Sequence, residues 1–307
     1  EAPFVVNTRN KSNKSANIYS DPENVSILKY LNVNVVCLAN NHIFDYGREG
    51  LEDTIKILND NNIEWFGVYD KDVVLNDLNL VLHGYCSFNT DPIGVSLTGD
   101  SVSALAYEKV VEKFSNYDKL GLTNVICNHS GVENVSIPSL DDIKFARYLS
   151  NCAKYIYIGH HPHVIQPTEK YNDSYISYSL GNFCFDDIKD DRTGDILVYQ
   201  NDENKKGLIK SFDFEGDGIH EENIFIYQGE DKLKIVSLEM DELSVDDVDK
   251  YNATRNAEIS DAVNKRNSKR DFRWLSSRVS FSTLVRVICR QYNAYKYKKF
   301  FSSKLEL

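Results

Sequence analysis

One stretch decides how the rest of this chain is interpreted: Tyr155–Val164, with the sequence YIYIGHHPHV. Its first four residues are apolar and predict a buried strand. Three histidines follow at once, namely His160, His161 and His163. Ligand sites of α/β folds lie at the carboxyl ends of their strands, and imidazole is the commonest metal ligand near neutral pH. The pattern indicates a metal site, with a polar surface turn as the alternative interpretation.

Two more predicted strands end in a histidine. Residues 33–38 are followed by Asn41 and His42, and residues 123–127 are followed by His129. Taken singly, each is equally or better explained as a turn or a hydrogen-bonded loop histidine. Because a sheet with helices on its faces gathers strand ends along one edge, we expect these residues and the histidine cluster to meet in one cleft.

The donor types predict the kind of ion. Histidine nitrogen and asparagine oxygen, usually joined by carboxylates, suit Mn, Fe or Zn better than Ca or Mg. Asp45 follows His42 closely and has two interpretations: it orients the His42 ring, or it caps the helix that begins near Arg48. Asn182 follows a tight Gly181 turn and either contacts the site or simply forms the turn.

The two remaining histidines, His83 and His220, lack such neighbours, and we expect them to be structural or exposed.

The periodicity along the first half of the chain predicts alternating strands and helices, which implies a largely parallel core. A helix is expected to start at Ser20–Glu23, with proline at its first position. The further predicted helices are 48–60, 104–114 and 139–152, and the further strands are 65–68, 73–75, 80–88, 155–158 and 175–180.

The second half of the chain changes character. The strands 196–199, 207–214 and 223–227 predict an antiparallel meander that covers the sheet. Residues 241–261 are polar and predict a helix, and residues 272–301 are amphipathic and basic.

Length and composition suit one large α/β domain with an extension. The chain has 307 residues, of which 42% are hydrophobic and 26% charged, as in ordinary soluble domains. No apolar run approaches the length of a membrane span. We therefore expect a cytoplasmic or membrane-peripheral protein, although a signal peptide could precede the sequence.

The net charge of -11 is unevenly distributed. Residues 262–307 contain 12 lysines and arginines against Asp271 and Glu306, so the totals of 35 basic and 46 acidic residues leave 23 and 44 in residues 1–261. We expect this basic segment to be a helical appendage that docks onto the acidic body. Peripheral contact with an anionic membrane or polymer is the alternative, and no nucleic-acid partner is expected.

Taken together, the motifs resemble the CapA family, the capsule and poly-γ-glutamate synthesis proteins, over roughly residues 1–190. That family is similar to the calcineurin-like metallophosphoesterases. The motifs that carry the resemblance, in chain order, are Asn40-Asn41-His42, Asp45-Tyr46-Gly47, His129-Ser130-Gly131, Gly159-His160-His161-Pro162-His163 and Ser179-Leu180-Gly181-Asn182-Phe183.

The resemblance implies an α/β fold, the calcineurin-like metallophosphoesterase sandwich (αββα), in residues 1–240, with a helical, basic extension in 241–307. Since Glu1-Ala2-Pro3 looks like the end of the family's Asn-Leu-Glu-Ala-Pro segment, the family's first strand with its Gly-Asp motif is expected to be missing here.

The implied function is a metal-dependent hydrolase of capsule, exopolysaccharide or poly-γ-glutamate biosynthesis, with a dinuclear Mn, Fe or Zn site and a phosphoester or anionic polymer as substrate. A non-catalytic accessory protein of the same assembly is the alternative. The implied metal ligands are Glu1, Asn41, His129, His161 and His163; the catalytic residues are His42 as general acid and Asp45 as its partner; and His160 and Asn182 support the ligands or contact substrate.

Overall fold

The computed structural model describes residues 1–12, 14, 16–90, 92–96, 101–189, 194–215, 218–240, 243–267, 284–285, 287–288, 291–292, 294–296 and 299. It is a mixed α/β protein, which confirms the predicted class. The chain forms two compact units, one of residues 1–130 with 270–307 and one of residues 131–269. The boundary predicted after residue 240 separates a domain from a C-terminal extension and does not coincide with these units; it stays a prediction.

The elements of the first unit alternate as the periodicity predicts. Its helices are α1 (Val25–Tyr30), α2 (Gly47–Asp60) and α3 (Tyr107–Lys119). Its strands are β1 (Val35–Cys37), β2 (Glu64–Phe66), β3 (Val73–Leu75), β4 (Leu80–Cys86), β5 (Val95–Ser96), β6 (Val102–Ser103) and β7 (Thr123–His129). A short 3-10 turn, Pro22–Asn24, leads into α1 and confirms the predicted helix start.

Strand pairing in the first unit is parallel except at its edge. β4 runs parallel to β7 from Leu80 opposite Thr123 to Cys86 opposite His129. β1 and β2 are also parallel, whereas β3 and β4 form an antiparallel hairpin. The crossover from β1 to β2 passes through α2, and the crossover from β4 to β7 passes through α3. The carboxyl ends of β1 and β7 therefore carry the residues that the sequence analysis singled out.

Helix α2 is amphipathic and buries the face that its spacing predicts. Leu51 and Leu58 are fully buried, and Ile55 packs against the same apolar cluster. Burying a leucine contributes about 1.5–3 kcal/mol, so this face anchors the helix firmly. The same apolar cluster contains Leu38, Ala39 and Ile43, which follow β1, and Phe4 from the start of the chain. Packing thus fixes the loop between β1 and α2.

The structure corrects the predicted helix 104–114, which begins and ends later, at Tyr107 and Lys119. Residue Ala104 forms a β-bridge with Cys86, and the Leu105 amide donates to the Cys86 carbonyl at 3.0 Å. Because this backbone is held in extended pairing with the end of β4, local helix preference is overridden there.

His83 lies fully buried in β4, and His220 is exposed, as expected for the two histidines outside the motifs. Burial, reinforced by the nearby Lys113 charge, lowers the pKa of His83 to about 3. Its Nδ1 is hydrogen-bonded to the Tyr85 hydroxyl at 2.8 Å, and its ring packs edge-on against the Tyr117 ring. His83 is therefore a neutral core residue.

We expect His83 to make the protein sensitive to acid. Its folded-state pKa lies below its unfolded value of about 6.5, so the unfolded chain binds more protons between these values. Its contribution is complete above pH 6.5 and is lost as the pH falls towards 3, by at most about 1.4 kcal/mol per pH unit. Urea unfolding of wild type and His83→Gln at several pH values measures this slope. Parallel curves for the two proteins would contradict the assignment.

The second unit contains helices α4 (Leu140–Cys152) and α5 (Val248–Asn267). Its strands are β8 (Tyr155–His160), β9 (Thr168–Tyr171), β10 (Ser174–Ser177), β11 (Ile188–Lys189), β12 (Ile196–Val198), β13 (Lys206–Glu215), β14 (Gly218–Gln228) and β15 (Leu233–Val236). β8 pairs with β10 in parallel, and β9 adds to β10 as an antiparallel strand. Ser139 caps α4 by accepting a hydrogen bond from the Asp142 amide at 3.0 Å.

The antiparallel meander is confirmed, but its membership is corrected. It consists of β13, β14 and β15, and it packs against β10 through the Tyr175 and Phe212 rings. Residues 196–199 were expected to belong to it, yet β12 pairs with β11 instead. Leu197 and Val198 of β12 are exposed, so its apolar residues do not face a core.

The helix predicted for residues 241–261 is observed as α5, but it begins later, at Val248, and ends later, at Asn267; residues 241–242 lie outside the described residues. α5 contacts the 136–138 segment of its own unit: the Tyr251 hydroxyl donates to the Pro138 carbonyl at 2.9 Å, and Glu258 accepts from the Ser136 amide at 2.8 Å. Among the helices that the structure describes, none is both long and apolar enough to cross a membrane.

Most of the basic segment, including 268–283 and 300–307, lies outside the described residues. Of the part that is described, the Lys296 ammonium lies 3.4 Å from the Glu108 carboxylate at the start of α3. An exposed ion pair of this kind contributes little to stability. Docking of the basic segment and its alternative, contact with an anionic surface, stay predictions.

Candidate functional site

The loop after β1 is built by an asparagine that holds its own backbone. The Asn40 side-chain oxygen accepts hydrogen bonds from the amides of His42 at 2.9 Å and Ile43 at 2.8 Å. Asparagine favours such local turns because its short side chain reaches the backbone two and three residues ahead. Asn40 and Ile43 are buried, so the turn that presents Asn41 and His42 is rigid.

Asn41 is oriented by a contact outside its loop. Its amide nitrogen donates to the Thr90 carbonyl at 3.1 Å, which identifies the other side-chain atom as oxygen. That oxygen lies 3.0 Å from Nε2 of His129. Both residues are buried. The ends of β1 and β7 therefore bring an amide oxygen and an imidazole nitrogen together, as the sequence predicts for these two residues.

Glu1 joins this pair and completes the set of donors in the first unit. Its carboxylate Oε1 lies 3.3 Å from His129 Nε2. Ligand atoms bound to one ion at about 2.0–2.2 Å are themselves about 3 Å apart, so these spacings fit a common metal ion. Nitrogen, amide oxygen and carboxylate oxygen are also donors that Mn, Fe or Zn accept. Glu1, Asn41 and His129 hereafter form the first donor set.

His42 belongs to a separate group beside the first donor set. Its Nδ1 lies 2.6 Å from Oδ2 of Asp45, whose side chain is completely buried. Asp45 provides no cap to α2, whose N-cap residue is Tyr46 without a side-chain hydrogen bond. Of the two interpretations of Asp45, the geometry favours orientation of the His42 ring. With Nδ1 held by a carboxylate, Nε2 is the nitrogen left for chemistry.

The second unit carries the histidine cluster at the end of β8. His161 and His163 both have positive φ, at 105° and 60°, a conformation uncommon for residues other than glycine. Their rings are adjacent, with centroids 6.0 Å apart. Such backbone strain persists where surrounding structure enforces it, and it is frequent at functional sites. His160 is the last residue of β8 and is half-buried.

Asn182 fixes the protonation pattern of His163. The Asn182 amide nitrogen donates to the Asn204 carbonyl at 2.9 Å, so its oxygen faces Nδ1 of His163 at 2.9 Å. The His163 Nδ1 must then bear a proton and donate it in this hydrogen bond, so Nε2 is the ring nitrogen with metal-ligand character. His161 and His163 form the second donor set, and Asn182 is a buried residue that orients one of its ligands.

Two residues of these groups were missed by the sequence analysis. The Asn204 side chain donates to the His163 carbonyl at 3.0 Å and to the Asn134 side chain at 2.8 Å, which pins the histidine loop. Lys14 contacts the Asn41–Asp45 loop through its ammonium group. Both residues lie in polar stretches without periodicity, so no local signal distinguishes them from surface residues.

The candidate metal ligands belong to both units. That all of them meet in one cleft stays a prediction. Within each unit, the predicted residues are brought together: Glu1 with Asn41 and His129, His42 with Asp45, and His163 with His161 and Asn182.

The amino-acid sequence matches the model of a protein family described as "Bacterial capsule synthesis protein PGA_cap" over residues 1–187. The match includes both donor sets and the His42–Asp45 pair. It confirms the family resemblance drawn from the motifs.

Similar curated proteins carry related names. "PGA biosynthesis protein CapA" of Bacillus subtilis is 29% identical over 188 residues, which cover 57% of this chain and 49% of that protein. "Capsule biosynthesis protein CapA" of Bacillus anthracis is 31% identical over 189 residues, covering 57% and 46%. A "Probable polyglutamine synthesis accessory protein" of Mycobacterium tuberculosis is 26% identical over 192 residues, covering 56% and 49%. The chain spans about half the length of the curated relatives it matches.

Proposed function

Because the chain belongs to the bacterial capsule synthesis protein family PGA_cap, we propose that it acts in the synthesis of capsule, exopolysaccharide or poly-γ-glutamate as a metal-dependent hydrolase. The proposed substrate is a phosphoester or a peptide-like bond in an anionic polymer. The observation that carries the proposal is the first donor set, in which a carboxylate and an amide oxygen lie 3.3 and 3.0 Å from one buried imidazole nitrogen.

We extend the proposal to the fold, as the αββα sandwich of calcineurin-like metallophosphoesterases. The support comes from the parallel pairs β1–β2, β4–β7 and β8–β10 and from the polar residues that follow β1, β7 and β8. Open α/β sheets bind their ligands beyond the carboxyl ends of their strands, which is where these residues lie.

In this proposal, Glu1, Asn41 and His129 hold a divalent transition metal, and His161 and His163 provide the remaining ligands. The metal would activate a water molecule and neutralise substrate oxygens. Asn182 accepts a hydrogen bond from Nδ1–H of His163, which makes Nε2 the nitrogen that would bind the metal. In the doubly protonated ring, His42 would donate its Nε2 proton to the leaving group and become neutral, while Nδ1–H stays hydrogen-bonded to Asp45. His160 is assigned to substrate contact.

One finding favours a second candidate, a non-catalytic accessory protein. The Mycobacterium tuberculosis relative is named as an accessory protein of polyglutamine synthesis. In that case the donor sets would bind a metal or an anionic polymer without turnover. The pairing of the partly buried His42 with the buried Asp45 next to the first donor set weighs towards the hydrolase, since binding alone has no need of an oriented proton donor.

A turnover assay distinguishes the hydrolase from the non-catalytic accessory protein. Full-length protein loaded with Mn or Zn is offered a panel of phosphomonoesters, phosphodiesters and poly-γ-glutamate. We expect hydrolysis of at least one substrate, dependent on the added metal and lost in His129→Ala. His220→Ala, which removes an exposed histidine, is the matched control and should retain turnover. Metal-loaded protein with no turnover on the whole panel would favour the accessory function.

A further inference from the structure

We propose that Lys14 is a positioning residue for His42; the inference rests on the proposed function, since it concerns the same site. The Lys14 ammonium lies 2.7 Å from the Asn41 carbonyl, 3.0 Å from Asp45 Oδ1 and 3.4 Å from His42 Nδ1. A single cation thus reaches the backbone of a proposed metal ligand and both members of the proposed acid pair.

Burial shows that this lysine is part of a built site. Its side chain is 8% exposed, and that of Asp45 is fully buried. Lysine and aspartate are almost never buried unless they are paired, because an isolated charge in a protein interior is costly. Removing one partner of such a pair leaves the other uncompensated. Lys14 and Asp45 therefore depend on each other.

The hydrogen bonds around Asp45 show what Lys14 controls. One carboxylate oxygen, Oδ1, accepts from Lys14, while Oδ2 faces His42 Nδ1 at 2.6 Å and accepts from the Ile18 amide at 2.9 Å. With each oxygen committed, the carboxylate cannot rotate. The His42 ring, held through Oδ2, is consequently fixed in one orientation. Loss of the Lys14 contact frees Oδ1 and removes this constraint.

A purely structural role would use some of the same contacts. Two residues near Lys14 in the sequence also bond to Asp45: the Ser12 amide donates to the Asp45 carbonyl at 2.7 Å, and the Asn17 side chain donates to it at 3.2 Å. These bonds remain when the lysine is replaced. The ammonium is thus better suited to orienting the Asp45 side chain than to fastening the segment.

A double-mutant cycle separates the two roles. Lys14→Met keeps the length of the side chain but removes its charge. We expect it to lower kcat by about 10–100-fold, as loss of a residue behind a functional group commonly does, with KM within about twofold. In a His42→Ala background, Lys14→Met should then cost less than about twofold, because the ring it positions is already absent. An equal loss of kcat in both backgrounds would overturn the inference.

Lys113→Met is the matched control. Lys113 is also partly buried and pairs with two aspartates, 2.8 Å from both Asp70 and Asp72. Its removal should lower the stability of the first unit while leaving kcat unchanged. If Lys113→Met reduces kcat as much as Lys14→Met, general weakening of the unit explains both effects and the inference falls.

A spectroscopic readout keeps the inference testable even if no substrate is found. Nitrogen-15 NMR of the His42 ring, at a pH where imidazole is neutral, reports which nitrogen bears the proton. We expect one Nδ1–H form in wild-type protein and a mixture of tautomers in Lys14→Met. Unchanged ring signals in Lys14→Met would overturn the positioning role, whereas absent turnover with altered ring signals would count against the proposed hydrolase alone.

Discussion

A Gly159→Ala variant is expected to lose about 3 kcal/mol or more of its free energy of unfolding. Gly159 lies in β8, one residue before the histidine cluster. A Cβ atom there would overlap the Tyr178 carbonyl and lie 3.0 Å from the Ser177 carbonyl oxygen. These are backbone atoms, and the Leu180 amide is bonded to the Gly159 carbonyl at 3.1 Å, so relief requires separating the strands.

Urea unfolding followed by circular dichroism measures the loss. Gly229→Ala is the matched control, since its Cβ would meet the Lys232 carbonyl oxygen at 3.2 Å, a distance that a turn can accommodate. We expect the control to stay within about 1 kcal/mol of wild type. A Gly159→Ala protein as stable as the control would show that β8 and the segment after β10 are not packed as described.

Replacing His42 by alanine is expected to lower turnover by about 10²–10⁴-fold, the usual contribution of a positioned proton donor. The reason is that His42 is oriented by a buried carboxylate at 2.6 Å and lies beside Asn41 without belonging to the first donor set. Its loss should therefore remove the proton donor and keep the ligands.

Metal content distinguishes this effect from a damaged site. Elemental analysis of His42→Ala should give nearly the wild-type metal content. If turnover of His42→Ala matches that of wild type, another group supplies the proton. If its metal content collapses together with turnover, His42 acts as a ligand or supports one, and its role as general acid is wrong.

Much of the architecture could be predicted because it is local. Leu51, Leu58 and their neighbours recur at helical spacing and predict α2, and the apolar run before His160 predicts β8. The grouping of Asn41 with His129 was also predicted from the ends of their strands, although β1 pairs with β2 and β7 with β4, in separate sheets. The pairing of β4 with β7 places Cys86 opposite His129, so both strands end at the same level.

What could not be predicted depends on contacts between distant residues. Asn204 lies 41 positions after His163, whose carbonyl it binds, and Lys14 lies 31 positions before Asp45. Neither contact leaves a periodic trace in the sequence. The start of α3 was misplaced for the same reason, because pairing of Ala104 with Cys86 overrides local preference. β12 was found, but its partner β11 was not, since a short exposed strand carries no information about its neighbour.

The donors at these strand ends are proposed to bind a transition metal, and metal stoichiometry tests this proposal most directly. Full-length protein is stripped with a chelator, loaded with Mn or Zn, desalted and measured by elemental analysis. We expect one or two ions per chain in wild type, a reduced content in His129→Ala and in His163→Ala, and the wild-type content in the exposed-histidine control His220→Ala. Wild-type protein without bound metal, or full metal content in both ligand variants, would contradict the claim.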